Sequence, residues 1–131
     1  MMGNQASAAT ATSLIDTISI SATVTSGSGK WLNVGLHDGE LLVIQNVGVL
    51  TGTNPTVTGK LQSASDANGT GAADISGATY TQVNANNNVQ ALVVDPKKVP
   101  GGFLGYVGTL GGTVGPTALV SVVAAAKRHV V

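Results

Sequence analysis

Cysteine is absent from this 131-residue chain, which removes disulfides and thiolate metal sites from consideration. Charge is scarce as well. Charged residues make up 9% of the sequence, against about 25% in an ordinary soluble domain. The six basic and six acidic residues cancel. No basic stripe exists for a phosphate backbone, so nucleic-acid binding has no electrostatic footing. Aromatics are 3%, too few for an aromatic-lined pocket. No apolar run approaches the roughly 20 residues of a membrane span. The opening residues, Met1-Met2-Gly3-Asn4-Gln5, have neither the positive start nor the apolar stretch of a signal peptide. Gly3 also stands one place too late for myristoylation. The expectation is synthesis in the cytoplasm.

What is present is small and apolar. The hydrophobic fraction of 43% is mostly Ala, Val and Leu, which suits thin β-layers and neutral contact surfaces. The length fits one domain that buries roughly two-thirds of its unfolded surface. With so few charges a monomer would struggle to stay apart from its copies. An assembly that covers much of the neutral surface is the expected consequence.

One device occurs twice. An apolar strand (residues 42–50) leads into Thr51-Gly52-Thr53-Asn54-Pro55-Thr56 and a second strand (57–61). Another apolar strand (103–110) leads into Gly111-Gly112-Thr113-Val114-Gly115-Pro116-Thr117 and a further strand (118–123). Gly, Asn and Pro in such positions read as turns, so both copies read as β-hairpins.

Other segments fit the same class. Leu14, Ile18, Ile20, Ala22 and Val24 alternate with Thr and Ser, the period of a half-buried strand. A second strand is expected over residues 30–36, and His37-Asp38-Gly39-Glu40 reads as a tight turn. Residues 62–78 are polar and Gly-rich, a loop holding at most one short strand. Strands at 78–83 and 89–94 follow, the latter stopped by Asp95-Pro96. The pattern predicts an all-β, antiparallel β-sandwich of about eight short strands, of jelly-roll or Greek-key type. Residues 1–13, small or polar after Met1 and Met2, are expected to form an extended arm held by a neighbouring subunit. Residues 14–131 form the single sandwich domain.

Reaction chemistry is hard to find. His37 and His129 lack ligand spacing, and no Ser, Cys or metal motif accompanies the His37–Asp38 pair. Asp66, Asn68 and Asp74 place oxygen ligands near Gly69 and Gly71, a weak echo of a calcium loop. The bidentate Glu of such a loop is missing, and an ordinary Asx turn explains the same residues. Asn68-Gly69-Thr70 matches a glycosylation acceptor without a secretory signal beside it, and Gly105 and Gly108 lead into no phosphate-binding helix. The basic pairs Lys97-Lys98 and Lys127-Arg128 are candidates for pairing with an acidic partner surface. Trp31, alone of its kind, is either core packing or an anchor between subunits. No enzyme, cofactor or resident metal is expected.

Specific phrases carry a resemblance over residues 48–126. They are Thr51-Gly52-Thr53-Asn54-Pro55-Thr56-Val57 with Lys60-Leu61-Gln62, then Asp74-Ile75-Ser76-Gly77-Ala78-Thr79-Tyr80-Thr81-Gln82-Val83, then Gly111-Gly112-Thr113, Pro116-Thr117 and Val120-Ser121-Val122-Val123. This stretch resembles a family of small virion structural proteins of tailed bacteriophages. Members often carry an Arg-rich strand before the second turn, where this chain has Phe103-Leu104-Gly105-Tyr106-Val107. The resemblance implies a capsid decoration (cement) protein on the virion surface. Its partners would be the major capsid protein and copies of itself, with trimers the natural form at threefold positions. The alternative is a tail or head-fibre module that binds host surface glycans, for which Tyr80, Tyr106 and the Asp66–Asp74 stretch are the candidates.

Overall fold

The computed structural model describes residues 9–128, without the side chains of Ala9, Asp38 and Arg128. Seven strands form one antiparallel sheet: β1 (Ala9–Ile20), β2 (Val24–Thr25), β3 (Leu32–Asn33), β4 (His37–Ala64), β5 (Ala73–Thr79), β6 (Asn88–Val94) and β7 (Phe103–Arg128). The all-β antiparallel class expected from the alternation holds. The strand lengths do not match a set of short strands, because β4 spans 28 residues and β7 spans 26.

These two strands pair with each other from His37 opposite Arg128 to Ala64 opposite Phe103. The twin-hairpin expectation is corrected here, since neither β4 nor β7 folds back on itself. Segments 51–56 and 111–117 instead lie across from one another, with Thr51 opposite Thr117 and Thr53 opposite Thr113. They form a shared corner in one continuous ribbon. Gly52, Asn54, Gly112, Val114 and Gly115 all have positive φ, and the ladder shifts register on both sides of Thr53. Isolated left-handed residues within a paired ladder make bulges, which bend a strand without reversing it. The composition marks a change of direction correctly and misplaces its partner.

Bent at this corner, the ribbon brings its two arms face to face across the core. β1 and β6 flank the arm that holds residues 41–47 and 118–127. β2, β3 and β5 flank the other arm, along residues 103–108 and 60–63. Val43 and Val47 come from the first half of β4, Val57 and Leu61 from the second, and all four are fully buried with Leu104 and Val122. Alternation places these side chains on the inner face, as a period of two requires.

Two tyrosines cross the gap between the arms. The Tyr80 hydroxyl donates to the Val43 carbonyl at 2.7 Å, and the Tyr106 hydroxyl donates to Gln45 Oε1 at 2.5 Å. Their rings meet edge to face, with centroids 6.1 Å apart, a favoured aromatic geometry. Burial pushes both hydroxyl pKa values well up, so both stay protonated donors. Tyr106 lies over Gly59 and Gly108. A Cβ at Gly59 would overlap Gln45 Oε1 and stand 2.6 Å from the Tyr106 hydroxyl. Glycine is therefore required at Gly59 by close approach.

Ser26 supplies a second junction. Its hydroxyl donates to the Leu14 carbonyl and accepts from the Tyr106 amide, both at 2.9 Å. β1, β7 and the turn after β2 are thereby fastened together.

Local differences from the alternation have similar causes. The register shift at Ser13/Ile15 lets Leu14 and Ile15 be buried together, Ile20 is buried beyond the second shift at Ile15/Ile18, and Ile18 is about half exposed. One slip turns the following side chains to the other face, and the second slip restores the first alternation, so Ile20 is buried as Leu14 is. Residues 37–40 belong to β4, with Gly39 at φ 73 and a register shift before Leu42, so the expected tight turn is a bulge. Within 62–78, β4 continues to Ala64 and β5 occupies Ala73–Thr79. Residues 9–13 of the expected arm pair with residues 123–127 of this chain's own β7, and residues 1–8 lie outside the described residues.

The Gly59–Gln45–Tyr106 contact yields a stability test. Gly59→Ala should cost about 1–3 kcal/mol by overpacking, measured by chemical denaturation. Combined with Gln45→Ala, which removes the colliding oxygen, the total should fall short of the sum by at least about 0.5 kcal/mol. Simple additivity would contradict the close approach.

Candidate functional site

The charged residues are distributed unevenly, and that distribution defines the candidate site. His37 lies opposite Arg128 and Asp38 opposite Lys127 where β4 begins and β7 ends. Glu40, Asp95 and Lys97 share a hollow of about 380 Å³ with His37. Lys98 joins Glu40 and Asp95 around a second hollow of about 240 Å³, between Ile75–Ala78 of β5 and Leu92–Val94 of β6. A third, of about 440 Å³, runs from Lys97 and Lys98 along Asp74, Ile75 and Ser76. Seven of the twelve Asp, Glu, Lys and Arg residues (Asp38, Glu40, Asp95, Lys97, Lys98, Lys127, Arg128) thus belong to this one end, and Asp74 borders it through the third hollow.

Local chemistry explains how the lysines are presented. Asp95 ends β6, and its carboxylate accepts from the Lys97 amide at 3.0 Å. Pro96 supplies the fixed φ of a first helical position, and the Lys98 amide donates to the Asp95 carbonyl at 2.8 Å. One turn of 3-10 helix results. Val99, almost fully buried, plugs the core beneath it, and the Gly101 amide donates to Ser63 Oγ at 2.9 Å. Lys97 and Lys98 remain exposed at the tip. Neither makes an ion pair among the described residues, whereas Lys30 pairs with Asp16 and Lys60 with Asp74.

His37 is held by Asn33 and Thr10. Its Nδ1 is 3.3 Å from the Asn33 carbonyl, which can only accept, so Nδ1 carries a proton. Nε2 is 3.3 Å from the Thr10 hydroxyl. No serine lines its hollow.

The structure separates the three residues considered for calcium. Asp66 accepts from the amides of Asn68 and Thr70 at 2.9 and 3.2 Å, and from the Thr70 hydroxyl at 2.7 Å. Asn68 accepts from Ser28 at 2.6 Å. Asp74, on β5, takes Gln62 at 2.8 Å and Lys60 at 3.0 Å. These are a loop clasp and a cross-strand pair, and no group of three or more metal-ligating residues occurs among the described residues. The Thr70 contacts lower the Asp66 pKa, and the Gln62 and then the Lys60 contacts lower that of Asp74.

Trp31 is corrected as a subunit anchor. It is 4% exposed, its Nε1 donates to the Ser26 carbonyl at 3.0 Å, and its ring fills the space beside Gly69 and Gly105. Of the rings considered for glycans, Tyr80 and Tyr106 are buried in the core, so neither can stack on a sugar. Lys127 is exposed, and Arg128 is placed by register alone. The sequence reading missed Glu40 and Asp95 as neighbours of the lysines. Asp95-Pro96 at a strand end signalled the cap, while only the register of β4 brings in Glu40.

No protein-family model matches the chain. No curated protein matches it either.

Two outcomes follow for the acidic residues. Folding lowers the pKa values of Asp66 and Asp74, so their stabilisation is full above about pH 4 and is lost as pH falls through the folded values. Melting temperature should drop on acidification, and less steeply in Asp74→Asn. Calcium should leave the melting temperature unchanged, since a rise would require a site these contacts do not leave open.

Proposed function

We propose that the chain is a non-enzymatic structural protein of a tailed-bacteriophage virion, a decoration protein that binds the assembled head between capsomers. The observation that carries the reading is the segregation of charge on an otherwise neutral β-scaffold. Exposed Lys97, Lys98 and Lys127, with Glu40 and Asp95 beside them, form a polar docking end, where Lys97 and Lys98 make no ion pair among the described residues. Charge complementarity of this kind sets the register and partner choice of a contact. The phrases at residues 51–57, 74–83 and 111–123 add the resemblance to phage head proteins.

The mechanism is thermodynamic. A protein that binds only the assembled lattice stabilises it by mass action, and many symmetric copies add avidity. The major capsid protein is the partner, the head surface is the location, and no cofactor takes part. The neutral outer face supports covered surface in an assembly. Val89 and Val93 of β6 are about 60% exposed, and Leu42 of β4, opposite Val93, is 39% exposed. The glycan-binding alternative loses the stacking rings it relied on.

Binding of purified protein to mature heads tests this directly. Wild type should co-sediment with heads, more weakly as salt rises. Lys97→Glu with Lys98→Glu should weaken binding by about tenfold or more, on the order of 1.4 kcal/mol. Wild type that stays in the supernatant, or charge reversal without effect, contradicts the proposal.

A further inference from the structure

We infer that the bent corner of the β4–β7 ribbon is the surface through which copies of this chain associate, anchored by Val114. The first observation is a backbone outlier. Three non-glycine residues have positive φ among the described residues: Asn54, Asn87 and Val114. Asparagine tolerates the left-handed region, whereas a β-branched side chain there meets its own backbone. Valine is the costly choice at φ 58, and Gly115 beside it already supplies the same conformation without that cost.

The second observation is exposure. Val114 is 81% exposed, more than any other large hydrophobic among the described residues. Its strain is therefore not offset by packing within its own chain. A strained residue persists where its surroundings fix it and something uses it. The fixing is visible, since Thr113 pairs with Thr53 and the Thr51 and Thr117 hydroxyls are bonded to each other.

Charge identifies the occupant. Residues 48–56 and 109–119 contain no Asp, Glu, Lys, Arg or His. The adjoining turn at residues 84–87 is also neutral and is tied to β4, through Asn86 Oδ1 to the Leu50 amide at 2.8 Å and the Asn87 amide to the Gly48 carbonyl at 2.9 Å. A symmetric contact sets a patch against its own copy, where opposed like charges weaken binding. The uncharged corner meets itself without that penalty. The apolar surface continues beside it in Val49 (53% exposed) and in Leu119, which packs on Gly48. A second copy of this chain is the partner this surface fits. The inference does not depend on head binding.

Sedimentation of the full chain across a concentration series is the test, with melting temperatures read at the most dilute point. Wild type should self-associate, and Val114→Glu should raise the dissociation constant at least about tenfold. Val114→Gly relieves the backbone strain, so it should raise the melting temperature of the dilute protein by roughly 2–5 °C while weakening association. Wild type that remains monomeric throughout overturns the inference. So does a Val114→Gly protein that melts higher yet associates as tightly as wild type, because the strained valine would then serve no contact.

Discussion

The Tyr106 hydroxyl resting on Gln45 is the contact on which the other features depend. A 28-residue strand bent in its middle is not rigid by itself, and something must fix how far its halves close. Gln45 stands on one half of β4 and Gly59 on the other, with the Tyr106 ring between Gly59 and Gly108. The ring shields backbone that glycine would leave bare, and its hydroxyl bonds a side chain that is fully buried. Gln45 Nε2 has no hydrogen-bond partner among the described residues. Replacing Tyr106 by phenylalanine would thus leave a whole buried amide unsatisfied, a change on the order of 1–3 kcal/mol. Trp31 repeats the arrangement over Gly105 and Gly69. In a chain with so few aromatics, these rings are occupied with holding the layers together.

That use of the rings bears on function. With Trp31, Tyr80 and Tyr106 buried, recognition falls to the outer surface, where charge and exposed aliphatic residues are distributed asymmetrically. Asp16–Lys30 closes on itself away from the charged end, Lys60–Asp74 closes on itself at its border, and Asp66 is spent on its own loop. At that end, Lys97 and Lys98 stand on a capped turn without ion partners among the described residues. The bend in the middle of the ribbon is a neutral corner that holds up a strained valine. Proposed docking to a shell at the charged end and proposed self-contact at the bend divide the labour between two parts of the ribbon.

Much of the β class was legible, because alternation over Val43, Val47, Val57 and Leu61 depends only on the period of two. β6 and its stop at Asp95-Pro96 were legible for the same reason, strengthened by the proline. The partner of each bend was not. Gly52-Thr53-Asn54 and Gly112-Thr113-Val114 look like hairpin turns in isolation, and only the long-range pairing of Thr53 with Thr113 makes them a corner. Asp66 and Asp74 look like neighbours in sequence, yet Asp74 belongs to β5 and answers to Lys60. At the candidate site, the two lysines and Asp95 beside them in sequence stood out from their surroundings, while Glu40 became their neighbour only through the register of β4 and β6. Trp31 shows the same boundary: its identity predicted burial, and no local signal said that Gly69 and Gly105 would receive it.

Electron microscopy of heads incubated with the purified protein tests the central claim most directly. The account predicts extra density on the outer shell between capsomers, with the Asp95–Lys98 turn against the lattice and the 111–117 corners of neighbouring copies together. Density confined to the tail, or copies seated on the shell by their neutral corners, would contradict it.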